Sequence, residues 1–178
     1  AFIKSMRGSD IDASLFYLAK MLESGEDIKF IARRMIIFAA EDISNADPHA
    51  LVLATSTFDA INTVGMPEAR IILGQTVTYL AAAPKSNSTY KAIAKAMDFV
   101  KNNPDREVPN KLKDSHYPGS KNLIHDTYLY PHDFGGYVDQ DYLPDEFVGE
   151  KFYDPIFVGY EKNMIERLNK RKEGNNED

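Results

Sequence analysis

Leu15, Leu18, Ala19 and Leu22 recur at intervals of three and four, the spacing that lines one face of an α-helix, and similar stripes follow one another through the first hundred residues. Ser9 and Asp10 precede this stripe as candidate N-caps. Gly25 suits the C′ position behind it, where a left-handed backbone costs glycine little. Asp27 can cap the next helix, whose inward face would be Ile28, Ile31, Ala32, Met35, Phe38 and Ala39. Asp47-Pro48 predicts the start of a third helix, with a carboxylate to cap it and a ring that fixes φ at the first helical position. Its stripe is Leu51, Ala54, Phe58 and Ile61, and Gly65 ends it. Pro67 opens a fourth helix that reaches Ala83 and stops before Pro84. A fifth, from about Ser88 to Asn102, carries Ile93, Ala94, Met97 and Val100 on one side.

The fourth helix has little polar surface between Gln75 and Pro84, because Val77, Tyr79, Leu80 and three successive alanines fill it. A helix apolar on most sides is central, enclosed by other helices or by a partner chain. Antiparallel helices joined by short turns then predict an all-α bundle over residues 1–102. Beyond Asn103 the pattern changes: six of the nine prolines and eleven of the twenty aromatic residues fall between 103 and 160. So aromatic a segment is no disordered linker. It predicts a loop-rich extension over 103–178, packed on the bundle and pinned by Tyr128, Tyr130, Phe134, Tyr137, Tyr142, Phe147, Phe152 and Tyr153. A last helix from about Tyr160 to Lys172 offers Met164, Ile165 and Leu168 inward and a Glu166–Lys170 pair outward, with a frayed tail after Glu173.

Charge sharpens this division. The formal net charge is −6, and residues 1–102 carry as many basic as acidic side chains, so the whole deficit lies after residue 102. A net acidic chain is a poor default binder of nucleic acid, which needs clustered Lys and Arg. No apolar run reaches the length of a membrane span. The absence of cysteine excludes disulfides and thiolate chemistry and fits a reducing cytoplasm. The chain opens on Ala1 and an apolar Ala-Phe-Ile, which reads as a piece of a longer protein.

Candidate chemistry is sparse. The sequence has no Gly-rich phosphate loop of the GxxxxGK[ST] type and no serine-nucleophile motif. His125-Asp126 and His132-Asp133 lie seven apart, a pattern more in keeping with hydrogen-bonded loop histidines than with a metal site. Residues 139–150 echo a calcium loop, but Pro144 stands where the turn needs Gly and Leu143 where a ligand belongs. The stretch 126–154 has eight acidic residues against one lysine. It reads as a solvated surface over tucked aromatics or, more sharply, as a dock for a basic partner. Arg33-Arg34 in an apolar helix suggests a partly buried guanidinium paired with Glu41 or Asp42, within or between subunits. Lys85, Ser86 and Asn87, followed by Lys91 and Lys95 one turn apart, could hold a phosphate backbone at a helix N-terminus, or form a solvated face. Exposed positions of the fourth helix, among them Ile71, Ile72, Thr78 and Tyr79, are candidates for an oligomer interface.

Several blocks together resemble the replication-associated recombination protein A family. They are Ser5-Met-Arg7-Gly8-Ser9-Asp10, Phe30-Ile-Ala-Arg-Arg34, Ala40-Glu41-Asp42-Ile43 and Ala46-Asp47-Pro48, then Gly65-Met-Pro67-Glu68 and Leu80-Ala-Ala-Ala-Pro84-Lys85-Ser86-Asn87. Gly136-Tyr-Val, Tyr142-Leu-Pro144 and Phe152-Tyr-Asp-Pro155 complete the set. The resemblance implies the C-terminal region of an AAA+ ATPase related to clamp loaders and to the Werner-helicase-interacting ATPase, with a collar-like fold that forms a homotetramer. It implies ATP and Mg2+ in an upstream domain, none in this region, and no catalytic or metal residue here. It also implies action at stalled replication forks in the bacterial cytoplasm, near the nucleoid. Single-stranded DNA, duplex ends and single-strand-binding protein would be partners of the full-length protein. Three readings compete: an oligomerisation collar, a DNA-binding module using Lys85, Lys91 and Lys95, and a small enzyme built on the Asp- and His-containing loop.

Overall fold

The computed structural model describes residues 1–104, 107–113 and 128–174, and the chain divides into two compact units. The first comprises residues 1–93 and 153–164, the second residues 94–152 and 165–178. The division therefore falls inside a helix rather than after Asn102, and a short return segment of the extension belongs with the bundle. All regular structure among the described residues is helical, as expected: α1 (Phe2–Arg7), α2 (Ile11–Glu23), α3 (Ile28–Phe38), α4 (His49–Val64), α5 (Ala69–Ala82), α6 (Ser88–Asn102) and α7 (Tyr160–Gly174).

The starts of the early helices follow from capping. The Asp10 carboxylate accepts from the Ala13 amide at 2.8 Å, and Asp27 accepts from Lys29 at 2.9 Å, each satisfying an N–H that the helix itself leaves unpaired. At the other end of α2, Gly25 takes φ +76°, as a left-handed cap requires. Helix α3 widens into a π-helical turn over Ala39–Ile43, followed by a 3-10 turn over Ser44–Ala46. The stretch α1, which the apolar stripes do not announce, places Phe2 and Met6 in the core.

Helix α5 is the central one. It packs against α1, α2, α3 and α4 and fully buries Ala69, Leu73, Val77, Leu80 and Ala81. Met6, Ile31, Met35, Phe38, Ile43 and Ile61 close around it. Thr57 of α4 and Thr76 of α5 share a hydroxyl hydrogen bond within this core, and the hydroxyl that accepts in that pair donates along its own helix, Thr57 to the Leu53 carbonyl or Thr76 to that of Ile72. Buried polar groups paired in this way avoid the desolvation cost of an orphaned hydroxyl.

Three details differ from the sequence pattern. Helix α5 begins at Ala69 rather than Pro67, because residues 66–68 form a turn that includes a cis Met66–Pro67 bond. On α4 the buried positions are Ala50, Ala54, Thr57 and Ile61, while Leu51 faces solvent. Small side chains let α4 approach α3 and α5 closely, so the inward face is set by Ala50 rather than its larger neighbour. On α6, Ile93, Ala94, Met97 and Val100 are exposed, whereas Ala92, Ala96 and Phe99 are half-buried.

The second unit relies on rings. Phe99 lies edge-to-face against Phe147 at 4.9 Å and Phe152 at 5.3 Å. Lys95 donates to the Lys151 carbonyl and sits 5.9 Å from the centre of the Phe152 ring. The Gln140 amide clamps the backbone of Leu129, donating to its carbonyl at 2.7 Å and accepting from its N–H at 3.2 Å. Tyr128, Tyr130, Phe134 and Tyr142, expected as pins, are exposed. On α7, Met164 and Ile165 are half-buried and Leu168 is exposed. Of the tail expected to fray after Glu173, Gly174 ends α7 and the residues from Asn175 on lie outside the described residues.

Candidate functional site at the junction of the fifth and sixth helices

The chain leaves α5 at Ala83 in an extended conformation, and Pro84 prevents the helix from continuing. Lys85 then turns back. Its ammonium donates to the carbonyls of Ala81 and Ala83 and to Ser9 Oγ at 3.2 Å, and it lies 6.0 Å from the centre of the Phe38 ring. It thus serves the otherwise unpaired carbonyls at the end of α5, where a cation is favoured. Burial pushes its pKa below the usual lysine value, against the opposing pull of Asp42.

Ser86 is buried and faces three ways. Its amide donates to the Asp42 carbonyl at 2.9 Å, and its hydroxyl donates to Glu161 Oε1 at 3.0 Å and pairs with the Ser88 hydroxyl at 3.0 Å. Glu161, in the first turn of α7, is the most unusual residue of the unit: a carboxylate with no solvent exposure. Tyr153 donates to Oε1 at 2.7 Å, while the amides of Ile156 and Phe157 donate to Oε2 at 2.7 and 3.0 Å. Desolvation would raise its pKa, but the hydrogen bonds from Tyr153, the Ile156 amide, Ser86 and Ser88 outweigh that and hold it below the ordinary glutamate value. Burial, reinforced by the same contact, raises the Tyr153 pKa.

Segment 153–159 lies against the bundle so closely that residue 159 admits no side chain. A Cβ there would stand 2.2 Å from the Ala46 carbonyl oxygen and 3.0 Å from Pro84 Cγ, at φ +57°. On the other side of Asp42, Arg7 forks onto its carboxylate at 2.6 and 3.0 Å, with Glu41 at 3.9 Å. Four of the sequence blocks therefore meet here, through Arg7 and Ser9, Asp42, Lys85 and Ser86, and Tyr153. Every buried side-chain nitrogen and oxygen among the described residues has a partner. The arrangement is that of a latch, in which polar groups satisfy one another and fasten the return segment.

The expected site residues fall out as follows. Arg33 and Arg34 are both exposed; Arg33 meets Asp27 at 3.5 Å, and it is Arg7 that engages Asp42 and Glu41. Position 33 lies opposite the buried Ile31, Met35 and Phe38, and position 34 at the margin of that face. Of the basic group, Lys85 is committed to α5 and Asn87 is half-buried, its carbonyl accepting from the Lys91 amide at 3.0 Å. Lys91 is exposed, and Lys95 belongs to the second unit. On α5, Ile71 is 66% exposed, Ile72 and Thr78 are half-buried, and Thr78 donates to the Gln75 carbonyl. Tyr79 donates to Asp47 at 2.6 Å, which raises its pKa, and its ring meets His49 edge-on. His125 and Asp126 lie outside the described residues, while His132 stacks obliquely on Tyr130. Among the described residues no cluster of three or more metal-ligating side chains occurs, and no helix is long and apolar enough to cross a membrane.

Sequence reasoning missed Arg7, Gly159 and Glu161 as members of the site and named Tyr153 only as an aromatic pin, without its hydrogen bond to Glu161. An acidic residue in a first helical turn is commonplace, so Glu161 carried no signal of its own; the blocks Ser5–Asp10 and Phe152–Pro155 did point to its surroundings.

Comparison with known proteins supplies the context for this latch. The chain is 46% identical over 172 residues to an AAA domain-containing protein of Mycobacterium tuberculosis, an alignment covering 96% of this chain and 38% of that protein. It is 42% identical over 178 residues to replication-associated recombination protein A of Bacillus subtilis, covering 97% and 42%. An ATPase named WRNIP1 from Dictyostelium discoideum is 38% identical over 157 residues, covering 86% and 18%. The chain thus spans less than half the length of these relatives. The family described as MgsA AAA+ ATPase C terminal matches residues 8–172, the whole latch except Arg7, and the chain belongs to that family.

Proposed function

We propose that this chain is the assembly module of an AAA+ ATPase acting in replication-associated recombination, and that it self-associates as a homotetramer. On this reading ATP and Mg2+ belong to a part of the parent protein outside this chain, and the bacterial relatives are more than twice as long as the region they share with it. The observation that carries the reading is the apolar surface left where α4 gives way to α5: Val64, Met66 and Ile71 are each half-exposed or more within eight residues. A single exposed isoleucine would need no explanation, but apolar side chains grouped in one stretch suit a surface that a partner covers. The alternative, phosphate binding through Lys85, Lys91 and Lys95, is weaker, because the Lys85 ammonium is already held by two carbonyls and a hydroxyl.

Light scattering across a range of concentrations tests the reading. We expect a mass near four times the 20.1 kDa of one chain. Ile71→Asp should lower it toward one chain while the circular dichroism stays helical, since a substitution at an exposed site leaves the core untouched. A mass fixed at one chain throughout would reject assembly by this module.

A further inference from the structure

Helix α6 turns a stripe of large apolar side chains to solvent. Tyr90, Ile93, Met97 and Val100 are 53%, 56%, 67% and 64% exposed. All four belong to one unbroken helix, Ser88–Asn102, and at 3.6 residues per turn they share an arc of about 80°. Ala94, also exposed, borders that arc. Single apolar residues at a surface are ordinary, but four aligned in this way make a contiguous patch of roughly 400 Å2, large enough on a monomer to mark a contact site. Of the charged residues on α6, Lys91, Lys95 and Asp98 lie away from the arc, and Lys95 is engaged by the Lys151 carbonyl. Lys101 alone flanks the stripe, in its last turn. At the edges stand Thr89, which accepts from Ser44 at 2.8 Å, and Glu107, which lines the same hollow as Val100 and is bridged to Lys113 at 3.1 Å. Charge therefore selects neither an acidic nor a basic partner, and the stripe is matched instead to its own copy.

Taking the assembly proposed above as its basis, we propose that the α6 stripe packs antiparallel against the α6 stripe of a second copy of this chain, about a two-fold axis at the level of residue 95. That axis sets Ile93 opposite Met97 and Tyr90 opposite Val100, so every large apolar side chain meets another at the spacing of a coiled-coil seam. Direction follows from Lys101. In the antiparallel pair the two ammonium-bearing positions stand roughly 18 Å apart along the helices, beyond the screening length, whereas a parallel pair sets them side by side. Area ranks the contact. Two copies bury roughly 800 Å2 between them, less than holds a dimer on its own, so the seam serves as the second contact of a larger assembly. A tetramer made of two-fold pairs needs two different self-complementary surfaces, and the patch of Val64, Met66 and Ile71 supplies the other.

The test uses the full chain, which contains no cysteine, so that an introduced one reports a single contact. Ala94→Cys, close to the axis, should link to its counterpart through a short bis-maleimide and run at twice the chain mass under denaturing conditions. Val100→Cys, roughly 15 Å from its counterpart along the helices, should link at least ~10-fold less. In light scattering Met97→Asp should halve the wild-type mass, from four chains to two, with the helical circular dichroism kept because Met97 is exposed. Ile71→Asp falls further, toward one chain, since the α6 seam is too small to hold a pair by itself. A wild type of one chain would reject the assembly reading and the seam with it. A wild-type tetramer whose mass Met97→Asp leaves unchanged, or in which Ala94→Cys fails to link, would overturn the seam and leave the assembly reading standing. Val100→Cys linking as readily as Ala94→Cys would overturn the antiparallel pairing.

Discussion

In the first unit α5 is enclosed by four other helices and buries Leu73, Val77 and Leu80 completely, whereas in the second unit Phe99, with two ring partners, stays half-buried. The first unit repeats one device, a stripe of apolar residues on each helix, so many small contacts share the burden of burial. The second depends on a few aromatic contacts, one clamped backbone segment and 3-10 turns, with carboxylates outside. Regions with few buried apolar contacts open at lower free energy than a packed core. The return segment 153–161 contrasts with both: it is fastened chiefly by a buried carboxylate and by a glycine that lets two backbones touch.

The substitution expected to cost most is Gly159→Ala. It adds a Cβ 2.2 Å from a backbone oxygen and holds alanine at positive φ, so either the return segment lifts or the 3-10 turn at Ala46 moves. We expect a loss of about 4 kcal/mol in urea unfolding. A loss below about 1 kcal/mol would mean that the segment is only loosely attached and that the latch contributes little.

Glu161→Gln comes next, at about 3 kcal/mol, because one acceptor oxygen becomes a donor facing groups that themselves donate. It also separates charge from shape. The folded-state pKa of Glu161 is depressed, so its ionised form stabilises the fold above the unfolded glutamate value, and that contribution is lost as pH falls through the lowered folded value. Urea unfolding across this acidic range should therefore show a shallower pH dependence for the Gln variant. Parallel profiles for the two proteins would remove Glu161 from the acid response.

The smallest effect is expected for Phe99→Ala, about 2 kcal/mol, less than for a fully buried ring because Phe99 is only half-buried. Amide exchange should quicken around residues 94–104 and 145–152 while α5 keeps its protection. If α5 exchanged faster to the same extent, the two units would unfold as one, and the contrast drawn above would fail.

The helices were largely legible because apolar periodicity and capping are local. Asp10, Asp27 and Gly25 act where their neighbours in the chain dictate, and α6 spans Ser88–Asn102 as the pattern predicts. Orientation was less legible. A stripe says that a helix has an apolar side, but Ile93, Met97 and Val100 face solvent because the half-buried positions of α6 are Ala92, Ala96 and Phe99. The basic group was legible as a cluster and not in its use, since nothing in Pro84-Lys85-Ser86 says that the ammonium will cap the helix just ended. The exchange of Arg33 and Arg34 for Arg7 as partner of Asp42 has the same origin, for helical phase turned one pair outward and the fold brought the distant arginine in.

By itself, then, the sequence determined the helical class, the caps and ends of most helices, the change of character after residue 102 and the family to which its blocks point. All of these rest on interactions within a turn or two of helix, or on residue order. Only the tertiary structure decided that Glu161 would be buried, that segment 153–164 would join the bundle, and that residue 159 must be glycine. Those outcomes depend on groups far apart in the chain, such as Ser86 with Glu161 or Ala46 with Gly159. A buried carboxylate is tolerable only where four donors have been assembled around it, and no periodicity along one segment records that assembly.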